Sequence, residues 1–210
     1  MIKKYFLLNA LFVLSMTSYA EPLDPVKLLS SYVGIDTVNP PGNESRAVDF
    51  YAKIFEKEGI EFSSGESAPG RGNIWARIKG GDLPALILLQ HTDVVPATKK
   101  YWDTDPFVAE IKDGYLYGRG VIDMKGAGIS QLVSFIRLHR SGLSLNRDVV
   151  FVATADEEAG GMFGAGWLID NHPEIFEGAG FVINEGGSGQ IIDGEKVFAI
   201  EITQKVPVWL

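Results

Sequence analysis

The chain of 210 residues is 46% hydrophobic and 22% charged, contains no cysteine, and sets 27 acids against 19 Lys and Arg for a formal charge of -8. That length suits one domain, or one and part of a second; the apolar share excludes a disordered chain, and the lack of any basic run excludes a protein that tracks nucleic-acid phosphates. Without cysteine there is no disulfide, no thiolate nucleophile and no cysteine zinc knuckle, so any metal must be held by His, Asp and Glu.

Lys3 and Lys4 precede an apolar stretch over 5–16, and Ser18-Tyr19-Ala20 then supplies the small residues of a cleavage site. The stretch is too short to span a bilayer, so residues 1–20 are predicted to be a signal peptide. The mature chain from Glu21 then carries 17 bases against 27 acids. An exported protein follows, periplasmic or secreted, with no membrane attachment once the leader is removed.

Asp24-Pro25 predicts the cap and first residue of a helix through Val26, Leu29 and Val33. Asn39-Pro40-Pro41-Gly42 is a breaker, after which Asn43 is expected to cap a second helix. Its apolar residues Ala47, Val48, Tyr51, Ala52, Ile54 and Phe55 keep helical spacing, and Gly59 is placed to end it. Strands are predicted at 73–78, 85–90, 149–155, 180–184 and 197–203, with helices at 125–138 and 164–171. Nearly continuous apolar strands separated by helices predict an α/β domain, a mostly parallel sheet with helices on both faces. Residues 206–210 end the sequence on bulky apolar groups, from which the chain is expected to be a fragment of a longer one.

In open α/β sheets, ligands gather beyond the carboxyl ends of the strands. His91 and Asp93 follow the second predicted strand, Asp156-Glu157-Glu158 the third and Glu185 the fourth, while Asp123 precedes the long helix. Singly, each has a bland reading: a rim histidine, a solvated acidic loop, a helix cap, a turn. Brought to one edge, they are mutually repelling acids that need a cation. Imidazole with oxygen ligands suits zinc, and carboxylates can bridge two ions. Asp93, two residues from His91, can point the same way in an extended segment and hold the imidazole in its metal-binding tautomer. Glu157 and Glu158 point differently, so one can bind metal while the other stays free as a base.

Several blocks stand in one order: His91-Thr92-Asp93-Val94-Val95-Pro96, Trp102 with Asp105-Pro106-Phe107, and residues 113–120 ending in Gly118-Arg119-Gly120. Asp123-Met124-Lys125-Gly126, Asp156-Glu157-Glu158 and Asn184-Glu185-Gly186-Gly187 complete the set. This ordered set resembles the zinc metallopeptidase family of glutamate carboxypeptidases, aminoacylases and succinyl-diaminopimelate desuccinylases. The Asn-Glu-Gly-Gly block is most similar to the secreted or vacuolar carboxypeptidases and N-acyl-amino-acid hydrolases.

The resemblance implies that His91 and Glu185 bind one zinc, Glu158 the other, and that Asp123 bridges both. It makes Asp93 the residue that orients His91 and Glu157 the general base acting on water. It also implies a cis peptide at Asp123-Met124. The expected cofactor is two zinc ions, although cobalt or manganese can take similar ligands. The expected substrates are small peptides or N-acyl amino acids, and nucleic acid is not an expected partner. Residues 21–210 would be the N-terminal part of the catalytic domain. The lid domain, through which a homodimer could form, and a further metal-binding His would lie beyond them, so this stretch alone is expected to bind zinc poorly and hydrolyse little. The alternative is a non-catalytic, truncated or degenerate member that serves as a binding or scaffold module. His139 and His172 are read as surface or capping residues. No G-x-G-x-x-G follows a strand, and neither G-x-S-x-G nor H-E-x-x-H occurs.

Overall fold

The computed structural model describes residues 22–186 and 188–199. The predicted leader, Gly187, the last residues of the 197–203 strand and the apolar ending lie outside them.

Asp24 opens α1 (Pro25–Val33) by accepting from the N–H groups of Val26 and Lys27 at 3.0 and 3.1 Å. Pro25 costs nothing there, because the first helical N–H has no partner within the helix. Helix α2 (Ser45–Glu58) corrects the sequence reading at its start: Glu44 is the residue before it, and no side chain caps it. Asn43 contributes only its carbonyl, which accepts from Arg46 N–H at 3.0 Å. At the other end Gly59 takes a left-handed conformation, φ 66°, and closes the helix as its position predicts.

The strands are β1 (Phe62–Glu66), β2 (Gly72–Ile78), β3 (Leu83–His91), β4 (Glu110–Lys112), β5 (Tyr115–Tyr117), β6 (Arg147–Thr154), β7 (Ala179–Ile183), β8 (Ser188–Ile192) and β9 (Glu195–Ala199). Helix α3 (Lys125–Ser141) joins β5 to β6, and α4 (Trp167–Asn171) precedes β7. The helix expected over 164–171 is shorter, because a π-type turn, Met162–Gly166, comes first and Gly164 is not helical. Gly164 crosses the end of β6 so closely that a Cβ would overlap the Ala155 carbonyl oxygen.

The main sheet runs β1-β2-β6-β3-β7, while β4-β5 and β8-β9 are separate hairpins. It is mixed: β3 is parallel to both β6 and β7, whereas β2 is antiparallel to β6 and to β1. Four of its five strands thus point one way, and β2 alone opposes them. The short connection from β1 to β2 permits only an antiparallel pair, whereas the long passage through α3 allows β3 and β6 to run parallel.

Alternate residues of β6 enter two cores. Val149, Phe151 and Ala153 pack beneath the helical layer with Tyr32, Tyr51, Phe55 and Phe135. Val150 and Val152 face Leu168 of α4 and Ile175 on the other side. Helices therefore cover both faces, as the continuous apolar strands predicted. Among the described residues, no helix is long and apolar enough to cross a membrane.

This register positions the site. His91 of β3 pairs with Thr154 of β6, so both strands end level, and Ile183, near the end of β7, pairs with Leu88. The segments 92–94, 155–158 and 184–186 consequently leave the sheet at one edge.

Candidate active site

His91, 2% exposed, sits at the end of β3 with its two ring nitrogens in different surroundings. Nδ1 lies 3.0 Å from the backbone carbonyl of Asp93 and 3.4 Å from its Oδ1. The carbonyl can only accept, so Nδ1 carries the proton and Nε2 is turned to the other acids. There it meets Asp123 Oδ1 at 3.0 Å, Glu185 Oε2 at 3.6 Å and Glu157 Oε2 at 3.9 Å. Burial disfavours an imidazolium, but the carboxylates of Asp93 and Glu185 outweigh it and push the pKa up to about 11.

The acids show the same crowding. Burial raises Glu158 to about 7, with Asp123 the next contributor, and burial also raises Glu157, with Glu185, Asp93 and Asp123 adding to it. Glu185 is lowered instead, chiefly by its hydrogen bond with His91. Two sets, His91 with Glu157 and Glu185 and His91 with Asp123 and Glu158, each bring one donor atom per residue within 4.8 Å of one another. An imidazole nitrogen with several carboxylate oxygens is a donor set that zinc and similar divalent ions accept.

Asp93 does more than face His91. It is fully buried, and its Oδ1 accepts from the N–H of Glu157 and its Oδ2 from that of Glu158, both at 3.1 Å. Burial would raise its pKa, but donation from His91 and Asn39 outweighs this and holds it low. One carboxylate therefore ties the loop after β3 to the loop after β6.

The two residues after Asp123 hold it in place. The Asp123-Met124 peptide is cis. Met124 is buried, and its sulfur accepts from His91 N–H at 3.2 Å. Lys125, 1% exposed, sends its ammonium to the carbonyls of Tyr32 and Ile35 at the end of α1, at 3.1 and 2.7 Å. Burial lowers its pKa to about 7. The first residue of α3 is thus pinned to the last turn of α1.

All six residues singled out in the sequence, His91, Asp93, Asp123, Glu157, Glu158 and Glu185, converge. The two other histidines do not join them: His139 lies in the last turn of α3, and His172 stands among the Trp75 and Trp167 rings with Glu174 at 3.2 Å. Arg119 stacks over Trp102 at 5.2 Å. Sequence reasoning missed a buried polar layer behind the cluster. Arg71 joins Glu44 at 3.1 Å and also bonds the carboxylate of Asp156, which has left-handed backbone, φ 70°. Asn39 reaches both Asp93 and Asp156. The one available signal was Asn39 before two prolines, which reads equally well as a simple breaker.

The family to which this fold belongs, with acids and a histidine gathered at the strand ends, is identified by the sequence itself. Residues 87–207 match the sequence profile of peptidase family M20/M25/M40, and the chain belongs to that family. Human aminoacylase-1 is 32% identical over 189 residues, covering 88% of this chain and 45% of that protein. Succinyl-diaminopimelate desuccinylase of Parvibaculum lavamentivorans is 36% identical over 148 residues, 68% of this chain and 36% of that one. The crystal structure of human carnosine dipeptidase 1 matches with a TM-score of 0.60 at 27% identity, over 76% of this chain and 38% of that one. The chain spans less than half the length of these relatives.

Proposed function

We propose that this chain carries the metal-binding and proton-transferring part of a two-metal amidohydrolase that cleaves an amide bond in small peptides or N-acyl amino acids. The observation that carries the reading is the convergence of Asp123, Glu157 and Glu185 on His91 Nε2, with Glu158 beside them. In this reading His91 and Glu185 hold one divalent ion, Glu158 the second, and Asp123 is shared. Zinc suits the donors best, with cobalt or manganese as competitors. When bound, such ions supply Lewis acidity to the scissile carbonyl and lower the pKa of water. Glu157 takes the proton of the attacking water and returns it to the leaving nitrogen, a role suited to a carboxyl raised by burial and neighbouring acids. Asp93 keeps the Nδ1 side of His91 occupied so that Nε2 faces the ions. The basic start and short apolar stretch of residues 1–20 support a signal peptide and a location outside the cytoplasm.

The test uses the protein purified from its own source, assayed on N-acyl amino acids and dipeptides with and without zinc. Glu157→Gln is expected to lower turnover by about 10²- to 10⁴-fold while leaving zinc content unchanged. Retained turnover would remove Glu157 from the base role. Failure to bind any divalent ion or to cleave any amide would sink the amidohydrolase reading in favour of a binding module.

A further inference from the structure

Behind the six site residues the segment 37–39 runs beside 92–94. Thr37 Oγ1 donates to the Thr92 carbonyl at 2.6 Å, Val94 N–H to the Thr37 carbonyl at 3.1 Å, and Asn39 N–H to the Val94 carbonyl at 2.9 Å. This places the Asn39 side chain, 4% exposed, between two buried carboxylates. Its Nδ2 donates to Asp93 Oδ2 at 2.8 Å and lies 3.3 Å from Asp156 Oδ1, while its Oδ1 accepts from Arg71 at 3.3 Å. The chemistry of these partners fixes the orientation of the amide: two carboxylates can only accept and a guanidinium can only donate. An aspartate here would set a third negative group against two others, and an alanine would leave both without this donor.

We infer that Asn39 is a positioning residue, which separates and holds the Asp93 and Asp156 carboxylates and so fixes where Glu157 and Glu158 project. The inference rests on the proposed roles of those two glutamates. The linkage is direct: the Asp93 carboxylate held by Asn39 is the acceptor of both the Glu157 and Glu158 amides. The Asp156 carboxylate on its other side belongs to the residue just before them and also accepts from Phe163 N–H at 3.0 Å. A buried network that loses one donor relaxes as a unit, and small displacements of catalytic groups are costly.

The experiment compares the protein as produced in its own source with its Asn39→Ala and Asn39→Asp variants, without metal, by amide hydrogen exchange. The Glu157 and Glu158 amides are expected to exchange about tenfold faster in Asn39→Ala and faster still in Asn39→Asp, with the Phe151 and Val152 amides of β6 unchanged. If either variant does not fold, Asn39→Ser, which keeps one donor, is read in the same way. Unchanged exchange at Glu157 and Glu158 overturns the inference, and so does equal acceleration throughout β6, which would make Asn39 an ordinary structural residue. A second arm measures zinc affinity by competition with a chromophoric chelator, and the visible spectrum of the cobalt form. Affinity is expected to fall at least about tenfold with an altered spectrum. If the unsubstituted protein from its own source binds neither ion, the metal reading fails, while the exchange result still decides the role of Asn39.

Discussion

Two buried regions of this molecule are built on opposite principles. Beneath the helical layer, Phe151 lies 5.4 to 5.7 Å, centroid to centroid, from Tyr51, Phe55 and Phe135, and the surrounding residues are almost all apolar. At the carboxyl ends of β3 and β6, equally deep, stand Glu44, Arg71, Asn39, Asp93 and Asp156. The first region removes apolar area from water and stabilises the fold. The second takes charges out of water, and such groups return the desolvation cost only when every partner is present. Glu44 shows the strain of that arrangement: burial raises its pKa to about 7 despite Arg71, and its Oε2 is buried with no partner among the described residues. The difference teaches that depth alone does not mark a residue as structural; the polar region is retained for what it holds in place.

The largest effect is expected in the aromatic core. Phe151→Ala should cost about 3–5 kcal/mol, read as a lowered urea midpoint. The side chain fills the space between three rings, and a sheet strand cannot collapse into the hole. In the polar region, Arg71→Met should cost about 3 kcal/mol, because Asp156 would lose its buried cation, and Glu44 and the Pro41 carbonyl their donor. The contrast sharpens on adding Glu44→Gln and Asp156→Asn to Arg71→Met. Most of that loss should return, since an uncharged set has nothing to pair. If the triple variant remained as unstable as Arg71→Met, the ion cluster would be stabilising in its own right and the two regions would not differ in kind.

How much of this was legible in the sequence divides along the same line. The apolar runs of β3 and β6 announced buried strands, and the acids just after them announced a cluster, because strand ends are where such a sheet gathers ligands. Asp93 was legible as a neighbour of His91, but not as the acceptor for Glu157 and Glu158, since that contact joins residues 64 and 65 positions apart. Arg71 and Glu44 were invisible for the same reason: each partner is distant in sequence, and neither sits in a local pattern, while Asn39 showed only as part of a breaker. The antiparallel placing of β1 and β2 was missed because 62–66 is a polar, exposed edge with no apolar period. The cap at α2 was misjudged because Glu44 turns inward to Arg71 and the helix begins without one.

The smallest effect lies at the start of β6, away from both regions. Asp148 accepts from Gly80 N–H at 2.7 Å and from Arg77 at 2.9 Å, with Lys79 at 3.4 Å and its own side chain 18% exposed. Burial alone would raise its pKa, but donation from Gly80 and Arg77 outweighs this and holds it below the ordinary 3.8. A carboxyl lowered on folding contributes stability that is present above its unfolded pKa and lost as the pH falls through its folded one. Asp148→Asn should therefore cost about 1 kcal/mol at pH 7, and urea unfolding should show the gap closing as the pH is taken below 3.8. A gap that stayed constant with pH would mean that geometry rather than charge makes the contact useful. A gap that closes would show a carboxylate at one end of the sheet contributing stability through its charge, while Glu44, Glu157 and Glu158 at the other end are held against their own electrostatics.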